Sequence, residues 1–345
     1  MKALVFYGPR DMRYVEVTTP EPNTGEVRIQ VKAVSICGSD SSGYKGESTM
    51  RTPGLIMGHE FSGVIEKIGK GVNGLKIGQR VVVITNLFCE QCRDCKEGLQ
   101  NVCINRAVIG TTMPKYGPYP GAMAEYVIVP AKKIISIPDH ISFNEAALTE
   151  PLAISLRATK HAGNIRGKKI AVFGSGPIGL LIIQCLRLQQ PTTIIAIDIQ
   201  DERLEMAKLC GATYTINSMK KDLYEMISLF TNNNGVDIVF DAVGIEETVN
   251  SGIEIVRCGG KVILVGLAMP KLKLNYKHAV CKEVSFITSY MYTTEMEESI
   301  DLIASGKIDV TKIITGVYPI SEGVRIFEEI AIGKSKDIKV ILTND

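Results

Sequence analysis

Two different patterns of apolar residues follow one another along the chain. Up to about residue 137 the apolar runs are short and are interrupted by glycine, proline and asparagine, as at residues 27–34, 63–68 and 80–84. Such runs are typical of strands joined by turns, and residues 1–17 are predicted to form a hairpin. The first part of the chain is therefore expected to be mainly antiparallel β-structure.

From about Lys169 the apolar runs no longer alternate with polar residues, and helical stretches separate them. This pattern indicates parallel strands that are buried on both faces. A helix between two of them ends at Cys210 and Gly211, because glycine supplies the left-handed conformation that terminates helices. Since βαβ crossovers are right-handed, the succession predicts a doubly wound sheet. The predicted strands are residues 169–173, 193–197, 238–240, 261–265 and 284–287.

After about residue 289 the pattern becomes mixed again. It predicts a helix at residues 296–305, a loop through Pro319 and a final strand at residues 338–342. We expect this last segment to complete the first domain.

A glycine-rich turn joins the first parallel strand to the helical run at residues 180–188. Its residues are Gly174, Gly176, Pro177, Ile178 and Gly179. The first glycine permits a tight turn, the second lets the backbone approach a pyrophosphate, and the third lets the helix pack on the strand. The helix N-terminus attracts the phosphates. The order therefore predicts a dinucleotide site, the alternative being a tight turn without a ligand.

Asp198 ends the next predicted strand, where a carboxylate accepts hydrogen bonds from the adenosine ribose and repels a 2′-phosphate. This position favours NAD over NADP. The alternative is that Asp198 only caps the following helix. Arg203 could lie over the adenine or approach a 2′-phosphate, although an arginine in the first turn of a helix is more often solvated.

Length and charge limit the classes of protein to which the chain can belong. Its 345 residues exceed the roughly 250–300 at which a single core usually stops growing, so two domains are expected. A formal net charge of +2 gives no electrostatic case for nucleic acid or an anionic membrane, which leaves small molecules or further copies of the chain as partners. We find no signal-peptide pattern and no uncharged stretch of ~20 apolar residues, and place the protein in the cytoplasm.

Four of the nine cysteines crowd into one short segment, as Cys89, Cys92, Cys95 and Cys103. Four thiolates saturate a tetrahedral zinc and leave no open coordination position, so this ion would hold a loop in shape. Four unrelated cysteines are the alternative, but free cysteines rarely cluster in this way.

A second set of metal-binding residue types is spread along the chain. Cys37, His59, Glu60 and Glu150 could meet only through the fold. Taken singly, the cysteine could be a small buried hydrophobe, the histidine a turn residue, and Glu150 a cap before Pro151.

Five segments together resemble the zinc-dependent medium-chain dehydrogenases, over nearly the whole chain. They are Cys37-Gly38-Ser39-Asp40, Gly58-His59-Glu60-Phe61-Ser62-Gly63, the four-cysteine loop, Glu150-Pro151-Leu152-Ala153 and the glycine turn. The nearest branch looks like the sorbitol, threonine, butanediol and galactitol-1-phosphate dehydrogenases, because Glu150 stands where classical alcohol dehydrogenases carry a second cysteine ligand.

The resemblance implies an α/β fold, with a GroES-like β-barrel catalytic domain and a doubly wound Rossmann domain that binds NAD. The catalytic domain is predicted at residues 1–152 and 290–345, and the Rossmann domain at residues 153–289. Val243 and Val265 would line the nicotinamide side of the cofactor. The family commonly forms homodimers or homotetramers through an edge strand, here about residues 283–290.

The resemblance also implies the catalytic roles. Cys37 and His59 would bind a catalytic zinc, and either Glu60 or Glu150 would supply the carboxylate ligand while the other acts through water or exchanges in during turnover. Asp40 would orient the ligating histidine. Ser39 would be the first proton acceptor. The chain departs from much of the family at Ser42, where a relay histidine is usual, so the proton could leave through Ser42, Tyr44, cofactor hydroxyls or water.

The expected activity is hydride transfer between a secondary alcohol and NAD, the alcohol being a polyol, a diol, a sugar alcohol or its phosphate, or an amino alcohol. Lys45 and Arg51 could bind a phosphate, although single basic residues in loops are usually solvated. A zinc-free quinone or enone reductase shares the fold but does not require the four dispersed metal-binding residues. A non-catalytic nucleotide-binding redox sensor is the alternative from another class.

Overall fold

Strands and helices cover most of the protein. The structure, a computed structural model, describes residues 1–113, 115–269 and 271–344. The strands are β1 (Lys2–Gly8), β2 (Asp11–Glu16), β3 (Glu26–Ser35), β4 (Leu55–Ile56), β5 (Glu60–Ile68), β6 (Arg80–Val83), β7 (Asn86–Leu87), β8 (Ala107–Val108), β9 (Thr111–Met113), β10 (Gly117–Tyr119), β11 (Tyr126–Pro130), β12 (Ile134–Ser136), β13 (Lys169–Phe173), β14 (Thr193–Asp198), β15 (Tyr214–Asn217), β16 (Val236–Asp241), β17 (Val256–Leu264), β18 (Ser285–Thr288), β19 (Ile314–Pro319) and β20 (Lys339–Thr343).

Most of the helices have ten residues or fewer. They are α1 (Gly38–Lys45), α2 (Arg93–Lys96), α3 (Phe143–Ala147), α4 (Thr149–Ala162), α5 (Pro177–Arg187), α6 (Asp201–Cys210), α7 (Leu223–Thr231), α8 (Glu246–Ile255), α9 (Tyr276–Cys281), α10 (Glu295–Ala304) and α11 (Gly323–Ala331). None of these helices, within the described residues, has both the length and the apolar character that crossing a bilayer requires.

The chain divides into two compact units, and one boundary falls inside helix α4. Unit 1 consists of Met1–Glu150, Met296–Gly306 and Ile314–Asp345, and unit 2 of Pro151–Glu295 and Lys307–Ile313. Segments 290–295 and 307–313, which the sequence assigned to the first domain, thus lie in unit 2, as do residues 151–152 at the predicted boundary.

Specific hydrogen bonds explain these two assignments. The Gln184 side chain on α5 donates to the backbone carbonyl of Asp309 at 3.0 Å and accepts from its backbone N–H at 2.9 Å. The Arg157 guanidinium on α4 donates to the Thr293 hydroxyl at 2.8 Å. Both segments are therefore tied to helices of unit 2 by side-chain contacts that the apolar pattern does not contain.

Unit 2 contains a six-stranded sheet in the order β15-β14-β13-β16-β17-β18, and all five pairings are parallel. Relative to the chain this is the 3-2-1-4-5-6 order of doubly wound dinucleotide folds. Every residue of β14 is buried, as expected for a strand covered on both faces. The five predicted strands are confirmed, but β15 was not predicted, since it is short and begins with the exposed Tyr214.

Unit 1 is built around a seven-stranded sheet in which β12, β6, β5, β3, β20 and β19 follow one another and β11 also pairs with β3. The N-terminal hairpin of β1 and β2 is confirmed. The last strand, β20, pairs antiparallel with β3, so the end of the chain completes this unit as predicted.

The predicted loop through Pro319 is wrong, because β19 occupies this stretch. Its parallel pairing with β20 supplies the backbone hydrogen bonds. The local sequence hides the strand, since Gly316 interrupts it and Pro319 ends it.

Helix α3 offers a test of local stability in unit 1. The Ser142 hydroxyl accepts from the backbone N–H of Glu145 at 3.2 Å, and the Glu145 carboxylate accepts from the backbone N–H of Ser142 at 2.9 Å. This capping box satisfies two amide donors, so Ser142→Ala should cost about 1 kcal/mol. We expect a fall in Tm of roughly 2–4 °C in thermal unfolding. Ser321→Ala, at an exposed position of unit 1, is the control, and an equal fall in both variants would contradict the capping role.

Candidate functional site

Cys37, Ser39 and Asp40 lie where β3 leads into α1. Cys37 is the residue before the helix and has extended backbone angles, while Asp40 lies in the first turn. The Asp40 carboxylate accepts from the backbone N–H of Cys37 at 3.3 Å. The cap of this short helix therefore places a thiol, a hydroxyl and a carboxylate within four consecutive residues.

His59 and Glu60 stand at the start of β5, after a turn that requires glycine. Gly58 has φ +98°, and a Cβ there would come within 2.9 Å of the side chains of Met123 and Val34. The turn brings a His59 ring nitrogen and a Glu60 carboxylate oxygen to within 4.8 Å of each other and of the Cys37 sulfur. Three of the four dispersed residues predicted as metal ligands thus lie together.

Glu150, the fourth, is 4% exposed on α4 and is outside this three-residue group. Burial, together with the nearby Glu60 and Cys37, raises the pKa of the Glu150 carboxyl to about 8, although His59 acts to lower it. Among the described residues, Glu150 Oε2 has no hydrogen-bond partner. Glu150 therefore belongs to the electrostatic surroundings of the group.

The donors fit a zinc ion. Burial and the neighbouring Glu60 carboxylate raise the pKa of the Cys37 thiol to about 12, so a nearby cation is needed to favour the thiolate. Within the described chain, His59 Nδ1 likewise lacks a hydrogen bond, since Asp40 Oδ1 is 3.6 Å away. One sulfur, one imidazole and one carboxylate form the kind of three-ligand set that leaves a zinc position open for substrate.

Lys339 on β20 is a site residue that the sequence reasoning missed. Its ammonium group, 3% exposed, donates to Glu60 Oε2 and to the backbone carbonyl of Ile36, and the Ser35 hydroxyl donates to the same Glu60 oxygen. Burial lowers the pKa of Lys339, but the negative charges of Glu60 and Cys37 outweigh burial and raise the pKa overall. The available signal was a lysine inside an otherwise apolar strand.

Ser39 is exposed, and its Oγ accepts from the Arg51 guanidinium at 3.3 Å. Arg51 also pairs with the buried Asp40 at 2.9 Å, and its side chain is 2% exposed. This burial leaves Arg51 no exposed cationic group for a substrate phosphate. Lys45, the other candidate, pairs with Glu47 at 2.9 Å.

Tyr44 does not occupy a position suited to a proton relay. Its hydroxyl donates to Glu328 on α11 at 2.8 Å, and its ring packs on Phe327 with 5.5 Å between the centroids. Burial and the hydrogen bond to Glu328 raise the pKa of Tyr44 to about 12. Tyr44 therefore anchors α1 to α11.

The four clustered cysteines form a second candidate metal site. Their sulfur atoms all lie within 4.8 Å of one another, and the Cys103 sulfur is 3.5 Å from that of Cys89 and 3.7 Å from that of Cys92. Backbone N–H groups of Cys92 and Asn105 donate to sulfur at 3.4 and 3.3 Å. Hydrogen bonds from the backbone N–H groups of Gln91 and Cys92 lower the pKa of Cys89 to about 6 and favour the thiolate. A closed set of four sulfurs fits a structural zinc.

The glycine turn of unit 2 has a distinct constraint at each position. Gly174 has φ +86°, and a Cβ at Gly179 would lie 1.8 Å from the Gly174 carbonyl oxygen. A Cβ at Gly176 would meet nothing within 4 Å, so this glycine leaves a ligand space close to the backbone. Pro177 occupies the first position of α5 and Ile178 the second.

Asp198 lies at the end of β14 beside this turn. One carboxylate oxygen accepts from the backbone N–H of Ser175 at 2.7 Å, and the other accepts from the backbone N–H groups of Ile199 and Gln200 at 2.7 and 3.0 Å. The structure thus brings Asp198 to the glycine turn. Arg203 is half-buried in α6.

Val243 and Val265 follow the neighbouring strands β16 and β17. The Val243 side chain borders Gly174, since a Cβ added at Gly174 would lie 2.7 Å from the Val243 side chain. Asp241, which the sequence reasoning missed, holds the segments that follow β16 and β17. Its carboxylate accepts from the backbone N–H groups of Val243 and Gly244, and its backbone carbonyl accepts from the N–H of Val265 at 2.9 Å. Its signal was an aspartate at the end of an apolar strand before glycine.

Comparison with known proteins relates both units to dehydrogenases. A family model for the alcohol dehydrogenase GroES-like domain matches residues 23–139, and one for zinc-binding dehydrogenases matches residues 177–305. The sorbitol dehydrogenase of Bacillus subtilis is 33% identical over 347 residues, covering 99% of this chain and 97% of that protein.

Two solved structures extend the similarity. An alcohol dehydrogenase from Escherichia coli CFT073, complexed with NADH, has a TM-score of 0.91 and 30% identity, and the match covers 100% of this chain and 99% of the other. A zinc-binding dehydrogenase from Sinorhizobium meliloti 1021, bound to NADP, has a TM-score of 0.91 and 28% identity over 99% of each chain. The expected combination of a GroES-like and a Rossmann-type domain is confirmed.

Metal analysis of a cysteine variant tests the four-sulfur site. Cys103 is fully buried, so Cys103→Ser should remove one ligand from a closed set and release that metal. We expect zinc to fall from about two to about one ion per chain, with a lower Tm. Cys258→Ser, at an exposed cysteine, should leave both values unchanged. An unchanged zinc content in the Cys103 variant would exclude the site.

Two alanine substitutions separate the tasks of the glycines in the turn. Gly179→Ala should lower Tm, because its Cβ overlaps a backbone oxygen. Gly176→Ala should keep Tm but weaken NADH binding by about tenfold or more, because the added methyl occupies the space for the pyrophosphate. Thermal unfolding and fluorescence titration with NADH measure the two effects. Equal NADH affinity of Gly176→Ala and the unmodified protein would contradict this placement of the cofactor.

Proposed function

The chain belongs to the zinc-dependent medium-chain dehydrogenase family, and on that premise we propose that it transfers a hydride between a secondary alcohol and NAD. The observation that carries the proposal is the group of Cys37, His59 and Glu60, with an exposed hydroxyl, Ser39, two residues from the thiol. The group holds the sulfur, nitrogen and oxygen donors of a catalytic zinc, and the serine can reach a substrate oxygen.

The roles of the residues around the catalytic zinc follow from their contacts. Cys37, His59 and one Glu60 oxygen would hold the ion, while Lys339 and Ser35 hold the other Glu60 oxygen. Glu150, with an oxygen that has no hydrogen-bond partner among the described residues, would act through water or exchange with Glu60. A zinc ion at this point supplies Lewis acidity, which lowers the pKa of an alcohol.

Ser39 would hydrogen-bond the alcohol oxygen and receive its proton first. A hydroxyl is a weak base, so the proton must continue to another acceptor. Tyr44 is bound to Glu328, which favours a route through Ser42, the cofactor hydroxyls or water.

NAD is the proposed cofactor, bound by Gly174, Gly176, Pro177, Ile178 and Gly179, with Asp198 on the adenosine ribose and Val243 and Val265 towards the nicotinamide. A 2′-phosphate would meet the negative charge of the buried Asp198, which favours NAD. Arg203 is the residue that would have to offset that charge for NADP. The same proposal assigns unit 1 as the catalytic domain and unit 2 as the cofactor domain.

The substrate class is proposed as a polyol or sugar alcohol, on the basis of the sorbitol dehydrogenase relative. We also propose a cytoplasmic enzyme that forms a homodimer or homotetramer. All nine cysteines are outside disulfides in the structure, which suits a reducing compartment. Exposed apolar residues lie on and near β18, one of the two edge strands of the unit 2 sheet, including Phe286, Tyr276 and Leu267, and would be covered in an oligomer.

Reduction of NAD, followed by absorbance, tests the activity. The zinc-loaded protein should reduce NAD with at least one of sorbitol, galactitol-1-phosphate, butanediol, threonine or a simple alcohol, and a chelator should abolish the signal. Ser39→Ala should lower kcat by roughly a hundredfold or more, since it removes the first proton acceptor. Ser305→Ala is the control. Tight NADH binding and full zinc loading without turnover of any alcohol would favour the redox-sensor alternative instead.

A further inference from the structure

Arg51 is a buried cation beside the candidate catalytic site to which the proposed chemistry gives no task. We propose that Arg51 is a positioning residue, whose guanidinium fixes the Ser39 hydroxyl for the substrate and the Asp40 carboxylate for His59. This inference rests on the proposed function for its catalytic half. Its metal-binding half can be tested without any substrate.

One nitrogen of the guanidinium serves both neighbours. Arg51 Nη2 lies 2.9 Å from Asp40 Oδ1 and 3.3 Å from Ser39 Oγ, and Nη1 donates to the backbone carbonyl of Met50 at 3.2 Å. Each terminal nitrogen of arginine carries two hydrogens in a fixed plane. The two hydrogens on Nη2 therefore define the relative positions of the serine and the aspartate.

The direction of the bond to Ser39 determines what the hydroxyl can still do. A guanidinium only donates, so Ser39 Oγ must accept, and its own hydrogen remains available to another group. The Ser39 side chain is exposed, so its second lone pair can accept the proton of a substrate alcohol while its own hydrogen points onward to the next acceptor. Arginine stays protonated in proteins, so Arg51 orients the hydroxyl but does not relay its proton.

The bond to Asp40 connects Arg51 to the metal-binding group. Asp40 is fully buried, and its second oxygen accepts from the backbone N–H of Cys37, while Oδ1 faces His59 Nδ1 at 3.6 Å. A buried carboxylate requires a paired cation, and Arg51 supplies it at 2.9 Å. Through Asp40, Arg51 is thus linked to the backbone of Cys37 and to the imidazole of His59, two residues of the candidate zinc site.

Helix α1 leaves a space that fits this arginine. A Cβ at Gly43 would lie 2.3 Å from Arg51 Cγ and 3.3 Å from both Cδ and Nε. Gly43 is in a helix, where alanine would be more favourable than glycine. The space taken by the methylene groups of Arg51 explains why this position has no side chain. Gly43→Ala therefore displaces Arg51 while retaining every charge.

The test compares Arg51→Lys and Gly43→Ala with Arg28→Lys. Lysine keeps the positive charge but has no planar pair of donors, so it cannot hold Ser39 and Asp40 together. Arg28 is the matched control, since it is a similarly buried arginine of unit 1 that pairs with Glu66 and Glu21. The probes are cobalt(II) in place of the catalytic zinc, its visible absorption, and its release to a chelator.

In both site variants we expect cobalt release to be about ten- to a hundredfold faster, with an altered absorption band, because outer partners of metal ligands have effects of that size. With the alcohol that the protein oxidises, kcat should fall at least about tenfold while KM changes less than about threefold, since a misplaced Ser39 affects the transition state more than substrate binding. Arg28→Lys should lower Tm and leave the cobalt spectrum, its release and kcat unchanged.

Three results would overturn the inference. The first is that the site variants release cobalt at the same rate as the unmodified protein and have the same absorption. The second is an equal loss in Arg28→Lys, which would reduce Arg51 to a general stabilising residue. The third is a Gly43→Ala variant whose cobalt absorption, cobalt release and kcat equal those of the unmodified protein. Because this variant retains Arg51, it decides the question even if Arg51→Lys fails to fold. If no alcohol is oxidised, the proposed function fails, whereas the cobalt measurements still decide the role of Arg51.

Discussion

Compensation of buried negative charge is the constraint on which the candidate catalytic site depends. The thiol of Cys37 and the carboxyl groups of Asp40, Glu60 and Glu150 all lie in or beside one small region of unit 1. Charges taken out of water are costly unless they are paired. Two buried cations of the chain, Arg51 and Lys339, pair with Asp40 and Glu60. Cys37 and Glu150 have no such partner within the described residues, and a divalent metal would supply the missing charge.

The fold was accessible from the sequence wherever one element by itself carries the pattern. The buried strands of unit 2 read as uninterrupted apolar runs, and the glycine turn identifies the order of strand and helix that follows. Two strands that the sequence did not reveal, β15 and β19, have an identity that comes from a partner. A short strand that begins with an exposed tyrosine, or one that contains glycine and ends in proline, becomes recognisable only when its hydrogen-bonded neighbour is known.

The same distinction applies to the site. The four cysteines were evident because their spacing is local, and Cys37, His59, Glu60 and Glu150 were found through the family resemblance. Arg51 was interpreted as a loop cation, and Lys339 was only a residue of the final strand. Neither interpretation was unreasonable, because the sequence does not show which carboxylate a basic residue will face, nor that a glycine on α1 leaves room for an arginine eleven positions from Asp40.

The contact between Lys339 and Glu60 joins residues separated by 279 positions. The residues proposed as ligands of the catalytic metal lie within the first 150 residues, whereas the lysine that pairs with Glu60 is on the last strand of the sheet. During synthesis the ligands therefore leave the ribosome long before the residue that balances their charge. The metal site reaches its final electrostatic state only when β20 has paired with β3, so formation of this site reports the completion of unit 1 as a whole.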